Sequence, residues 1–335
     1  MRKRISSLIL AALFPAILLA AGNSPLQLLR TIPLPGLQGH FDHLAVDSAG
    51  HRLFLAAEDA HVIEVVNFET GRQAAQIHGV KKPHAIFFMP HRDLLFVTDG
   101  VAGACDVFDG RDYHLLKAIK LDLDADSGFY NPATHRLYIV NGGAKMHEPY
   151  SFVSVVDTQA EKVVENIKVP DNGPEALRLG SGGRLYVNLN NDNQVGVFNA
   201  ATGKLLARWG LDGEKDNSPM AIDPVDHRLF VVTRSAPRLL VFDTRAGKIV
   251  ANLPCSRDAD DMVYDRAERL IFVSCGQGFV NIYRQLGPNR YTLAARVPSG
   301  PHGKNSVLVP SLRRFFVATI ARGGEPARIL IYRVA

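Results

Sequence analysis

Six short stretches of this 335-residue chain carry acidic, imidazole or amine side chains of the kind that do chemistry when they meet. They are His40-Phe41-Asp42-His43, His84 behind Pro83, Asp124 with Asp126, Glu175 behind Pro174, Asp260-Asp261, and His302 with Lys304. Carboxylates held close together either have raised pKa values or share a cation. Mixed imidazole and carboxylate ligands suit zinc or another transition ion, whereas carboxylates with Asn oxygens suit calcium. A divalent ion held in this way polarises a carbonyl and lowers the pKa of its water, and an imidazole serves as the base. No single stretch is a site by itself. Along a strand His40 and Asp42 would face one way and Phe41 and His43 the other. Convergence has to come from the fold.

The elements that would provide it recur. A middle apolar strand returns as HRLFLAA (51–57), DLLFVTD (93–99), HRLYIVN (135–141), GRLYVNL (183–189), HRLFVVT (227–233), LIFVSC (270–275) and RRFFVAT (313–319), spaced by 42, 42, 48, 44, 42 and 44 residues. Another apolar strand and a tight turn precede each copy, often with Pro (Pro90, Pro132, Pro224, Pro310) where a fixed φ favours the first central turn position. A third strand, a turn such as VFDTRAGK or VFNAATGK, and a fourth strand follow. Seven copies of four strands at this period predict an all-β fold, a seven-bladed β-propeller of four-stranded antiparallel blades. The middle strands are apolar on both faces, as a blade packed between two neighbours requires. The last copy stops after its third strand, ARILIYRVA. Residues 28–36, LLRTIPLPG, resemble the missing outer strand and are expected to close the ring by pairing with residues 327–334, burying Leu29, Ile32 and Leu34.

The motifs LYIVNGG, LYVNLNN and LFVVTRS, with the VFDTRAGK-like turns and the Pro-led PHAIFF and GPEALRL, resemble the YVTN-type seven-bladed propellers over the whole chain after residue 22. HFDHLAVD, DADDMVYD and FVSCGQGFVNIY are similar to those of exported bacterial members of that family. The resemblance implies a soluble, exported propeller. It carries over no catalytic residue, because the family includes binders, subunits of quinone-linked dehydrogenases and lactonase-like relatives.

In such a ring the first strand of each blade lines the axis, and the loops between second and third strands share a mouth with the first-strand entrances. The mouth is then expected to gather His40, Asp42, His43, His84, Asp126, Glu175, Asp260, Asp261, His302 and Lys304. Neighbouring loops add Glu58, His61, Asp99, Lys145, His147, Glu148, Asn190, Asn193 and Arg234. Carboxylates from several blades repel unless something positive sits among them, and His84, His302 and Lys304 supply that without a metal. The first reading is therefore a binding or interaction module that uses this mouth for a small polar ligand or an envelope protein partner, with no cofactor assigned. The alternative is a metal-dependent, lactonase-like hydrolase in which Asp126, Glu175, Asp260 and Asp261 hold calcium or zinc and His43 or His84 is the base.

Other features narrow the setting. Arg2, Lys3 and Arg4, an uncharged stretch to Gly22 and the small residues Ala20, Ala21 and Gly22 have the layout of a signal peptide over 1–22, leaving 23–335 as one domain, periplasmic or secreted. Removing it takes the balance from 38 basic and 33 acidic residues to 35 and 33, and leaves no membrane span. That charge gives no case for nucleic acid, and a monomer is expected. Of Cys105, Cys255 and Cys275, the hairpin around Met262 and Phe272 makes Cys255–Cys275 the reachable disulfide. There is no G-x-S-x-G, H-E-x-x-H, Walker or G-x-G-x-x-G motif.

Overall fold

The computed structural model describes residues 24–335, and the signal peptide read over 1–22 lies outside them. Seven four-stranded antiparallel sheets, six of them with their strands in chain order and the seventh completed by the chain's first strand, form a seven-bladed β-propeller. The innermost strands are Leu44–Asp47, Pro83–Met89, Gly128–Asn131, Pro174–Leu179, Asn217–Asp223, Ala259–Asp265 and Asn305–Val309, in blades 1 to 7. No helix among the described residues is long and apolar enough to cross a membrane.

Ring closure follows the expected pairing. The outermost strand of blade 7 is the chain's first, Leu26–Leu34, antiparallel to Ala327–Val334 with Leu34 opposite Ala327 and Leu26 opposite Val334. Ile32 and Leu34 are buried, and so is Leu26. Leu29 is not: a register shift between Leu28 and Arg30 takes it out of the alternation and leaves it 45% exposed. Each buried aliphatic contributes about 1.5–3 kcal/mol before its ordering cost.

The middle strands behave as their two-faced apolarity predicts. Leu53, Phe54 and Leu55 have no exposed surface, nor have Leu229, Phe230, Val231 and Val232. Neighbouring blades interlock through aromatic pairs, such as Phe54 with Phe88, Phe230 with Tyr264 and Phe272 with Phe315, at 5.2–5.7 Å between ring centres. The recurring His-Arg-Leu has a separate cause. His51, His135 and His227 all sit at left-handed φ of 54–55°, in the turn before the second strand, and their carbonyls accept the N–H of Phe68, Thr158 and Thr244. These histidines belong to the face opposite the mouth and hold turns.

A further irregularity matters for the axis. The pairing between first and second strands shifts register between Pro83 and Ile86, between Pro174 and Leu177, between Asn217 and Met220, and between Ala259 and Asp261. An extra residue in one strand bends it and re-aims its side chains. His84, Glu175, Ser218 and Asp260 all lie within these shifts.

Candidate functional site

The first-strand entrances enclose an axial cavity of about 490 Å³, within the range of small-molecule sites. Nine of the ten mouth residues read from the sequence line it: His40, Asp42, His43, His84, Asp126, Glu175, Asp260, Asp261 and Lys304. His302 does not. It takes left-handed φ, donates its N–H to the Gly276 carbonyl and accepts that of Lys304, so it shapes the turn that delivers Lys304. His40 stays at the rim, 62% exposed, paired with Asp59 at 2.9 Å.

The innermost polar layer is a chain of ion pairs and hydrogen bonds. His84 Nδ1 lies 2.6 Å from Asp42 Oδ2 and 3.8 Å from Asp126 Oδ1. Its Nε2 has no partner and packs against Gly100, where a Cβ would stand 2.9 Å from that nitrogen; glycine there makes room for the ring. Burial lowers the His84 pKa, but the hydrogen bond to Asp42 and the charges of Asp126 and Asp42 outweigh it and lift the group to about 9. His43 is 3.0 Å from Asp261 and 3.6 Å from Asp42. Burial opposes its charge, and Asp261 and Asp42 hold it well above the ordinary imidazole range. Asp42 reciprocates: burial would raise it, and His43, His84 and Lys304 hold it well below the usual carboxylate range.

Across the channel, Asp260 pairs with Arg234 and with Lys304 at 3.2 Å, and accepts a bond from Asn305 Nδ2 at 3.0 Å. Asp261 accepts the Ser306 N–H at 2.6 Å. Arg234 reaches Glu175 only at 3.8 Å, and Ser218 donates to Glu175 at 3.2 Å. Burial raises Glu175 to about 7, with Asp126 and Asp260 adding to the shift and Arg234 opposing it. Asp126 is likewise lifted by burial, to about 6, against the pull of His84.

The expected metal set is not what the structure gathers. Asp260 is taken by Arg234 and Lys304, and Asp261 by His43 and the Ser306 amide, so these carboxylates already have cations or donors. The groups that do lie at ligand spacing around the cavity are Asp42 with His43 and Asp126, and Asp42 with Glu58 and His84. Asp42 and His43 both point inward because regular pairing begins only at Leu44, so the strand alternation read over 40–43 does not apply there. In both sets Asp42 already pairs with an imidazole, His84 at 2.6 Å or His43 at 3.6 Å, so a metal there would have to displace that partner's proton. A third cluster, Asp109 with Asp112 and His114, lies at a turn outside the cavity, where Arg111 holds Asp109 at 2.7 Å.

Of the loop residues, Glu58 and Arg234 line the cavity; Asp99 instead caps the Lys81 and Lys82 amides. The sequence reading passed over Lys82, paired with Glu58 at 2.8 Å, and Arg178, which lines the cavity from the interior of an inner strand. Arg178 had a signal: a charged residue within an apolar strand buried between two blades has only the axis to face. Cys255 and Cys275 are brought together as free thiols, their sulfurs 4.0 Å apart.

Seven blades around a polar axial cavity make this a seven-bladed β-propeller of the broad WD40-like kind. No family model matches the chain. It is 33% identical over 82 residues to the uncharacterized protein YncE of Salmonella typhimurium, covering 24% of this chain and 23% of that one. It is 29% identical over 124 residues to the Salmonella typhi protein of the same name, covering 36% and 34%. The chain thus matches between a quarter and a third of the length of these relatives. Among solved structures, a chain of Kuenenia stuttgartiensis hydrazine synthase superimposes with a TM-score of 0.73 at 18% identity, covering 89% of this chain and 96% of that one. A chain of the mitotic checkpoint complex does so at 0.75 and 15%, covering 100% and 99%. At these identities the likeness is one of fold.

Proposed function

We propose that this chain is an exported binding propeller that takes a small polar ligand into its axial cavity. The observation that carries the reading is the cavity's wall: about 490 Å³ enclosed by charged groups from all seven blades, most of them already bonded to one another. Groups fixed in this way are pre-organised for recognition, since little ordering is left to do when a ligand arrives. The same pairing argues against the hydrolase reading, because its metal carboxylates Asp260 and Asp261 are engaged by the protein's own donors. Export rests on the leader read from residues 1–22 and is tested by the N-terminus of the protein recovered from the producing cell.

Thermal unfolding of the purified protein against a panel of small anions, amines, sugars and zwitterions tests the binding reading. A ligand at a hundred times its Kd adds about 2.7 kcal/mol of stability. We expect at least one class to raise the melting temperature of the wild type and to lose that effect in Glu175→Gln. A panel that leaves the melting temperature unchanged throughout would overturn a small-ligand role for the cavity.

A further inference from the structure

The ring of charge around the mouth is closed everywhere except at one place. From blade 1, Asp42 is bonded to His84 of blade 2, which faces Asp126 of blade 3. In the other direction, Asn305 of blade 7 joins Asp42 at 3.5 Å to Asp260 of blade 6, and Arg234 joins Asp260 to Glu175 of blade 4. Blades 3 and 4 are neighbours, and each presents a carboxylate. Among the described residues no side-chain cation makes an ion pair with both Asp126 and Glu175. Two buried carboxylates without a shared cation repel each other, and a positive group between them would relieve both.

The second observation lies further along the same inner strand. Arg178 lines the cavity three residues beyond Glu175, and among the described residues its guanidinium donates only to the neighbouring Leu177 carbonyl, at 2.7 Å. Among the described residues it has no ion-pair partner, unlike Arg234, Lys304 and Lys82 around it. The one carboxylate whose charge bears on it, Asp261, is already taken by His43 and the Ser306 N–H, so the guanidinium is withdrawn from water with no partner of its own; that is costly, and its planar fork matches a carboxylate or phosphate. Glu175, which lacks a close cation, and Arg178, which lacks an anion of its own, therefore share one inner strand. Three residues of strand separate them by at most about 10 Å.

We propose that the cavity is a zwitterion site, with an ammonium group seated between Asp126 and Glu175 and an anionic group, such as a carboxylate, seated on Arg178. This deepens the binding reading and rests on it. The ligand class is a small amino acid or related amino-anion, oriented with its cationic end at the mouth and its anionic end below.

Calorimetric titration with a ladder of probes tests this directly: glycine, β-alanine, 4-aminobutyrate and 6-aminohexanoate, each beside the amine and the carboxylate of matching length. One chain length should bind at least tenfold more tightly than either of its singly charged counterparts. Arg178→Met should bring that zwitterion down to the affinity of the amine while leaving the amine unchanged, and Glu175→Gln should bring it down to that of the carboxylate. Should a variant fail to fold, the wild-type ladder alone still decides. A wild type that binds amine as tightly as zwitterion, or carboxylate as tightly as zwitterion, overturns the two-pole site. So does a wild type that binds calcium chloride and no member of the ladder. No binding anywhere in the ladder, with a hit elsewhere in the polar panel, overturns the zwitterion while the binding reading stands; silence in both overturns both.

Discussion

The two sides of the axial cavity are built from the same residue types and are in opposite states. On blades 7, 1 and 2, Asp42 is bonded to His84 at 2.6 Å and flanked by His43 and Asn305, so every charge has its complement. On blades 3 and 4, Asp126 and Glu175 each make a single long ion pair, at 3.8 Å, to His84 and Arg234, and Arg178 makes none among the described residues. The pairs of the first side carry stability: removing one partner strands the other in a poorly solvated place. The vacant complement of the second side costs stability until something from outside fills it, which is the usual economy of a site kept ready for a ligand.

The largest effect that would break this contrast is on stability. His84→Ala leaves Asp42 buried with its closest partner gone, and loss of one member of a buried pair costs about 3–5 kcal/mol. Chemical denaturation of the variant should show that loss. The matching change on the other side, Glu175→Gln, should leave stability unchanged or raised at pH 8, because it removes a charge that burial disfavours. Equal losses from both variants would erase the distinction between the two sides.

The two sides also separate along the pH axis. His84 is raised from 6.5 to about 9 in the folded protein, so its contribution is complete below pH 6.5 and disappears as pH rises through 9. That is at most on the order of 3 kcal/mol. Asp126 and Glu175 are raised from 3.8 and 4.5 to about 6 and about 7, so folding favours their neutral forms, and what they contribute is lost as pH rises through those values. Melting temperature against pH should therefore decline in two windows, roughly pH 4 to 7 and pH 6.5 to 9. Glu175→Gln should flatten the lower window and His84→Gln should make the upper one shallower, the remainder belonging to His43, which is also raised. A single window abolished by either variant would mean that the two sides titrate as one unit.

How much of this was legible beforehand follows from what repeats. The blades could be read because Leu53, Leu95, Leu137, Leu185, Leu229, Ile271 and Phe315 recur at 42–48 residues, each in a strand buried on both faces. Closure by the first strand followed from the missing outer strand. The burial of Leu29 did not, since the bulge beside it follows from local backbone geometry that no residue type announces. The same holds at the mouth. Which residues stand at the first-strand entrances was readable, and nine of ten reach the cavity, but their pairing was not, because partners such as Asp42 and His84 come from different blades, 42 residues apart. His302 reads like the other entrance histidines until its left-handed φ assigns it to the turn. Arg178 was missed for the opposite reason: it lies past the strand entrance, where Glu175 was sought, in the part of the strand that otherwise reads as core.

The smallest effect is the one that locates the ligand's cation. An ammonium group between Asp126 and Glu175 favours the ionised form of both, so their pKa values must fall on binding and protons must leave. At pH 6.5, between the values of about 6 and about 7 in the free protein, both carboxyls are partly protonated, and binding should release a fraction of a proton per ligand. Titrating the best member of the amino-acid ladder in two buffers of different ionisation enthalpy measures that fraction. It should shrink in Glu175→Gln and vanish at pH 9, where neither carboxyl holds a proton in the free protein. His84, raised to about 9, and His43, also held above the ordinary imidazole range, would blur the second comparison, His84 through its contact with Asp126 at 3.8 Å and His43 through its place beside Asp42 and Asp126. The imidazole contribution is also proton release but has the opposite pH trend, because a new cation beside Asp126 makes the imidazolium less favourable and the release grows as pH approaches 9. Release that persists undiminished in Glu175→Gln while growing toward pH 9 would therefore place the ligand's cation beside His84 instead of between the two carboxylates.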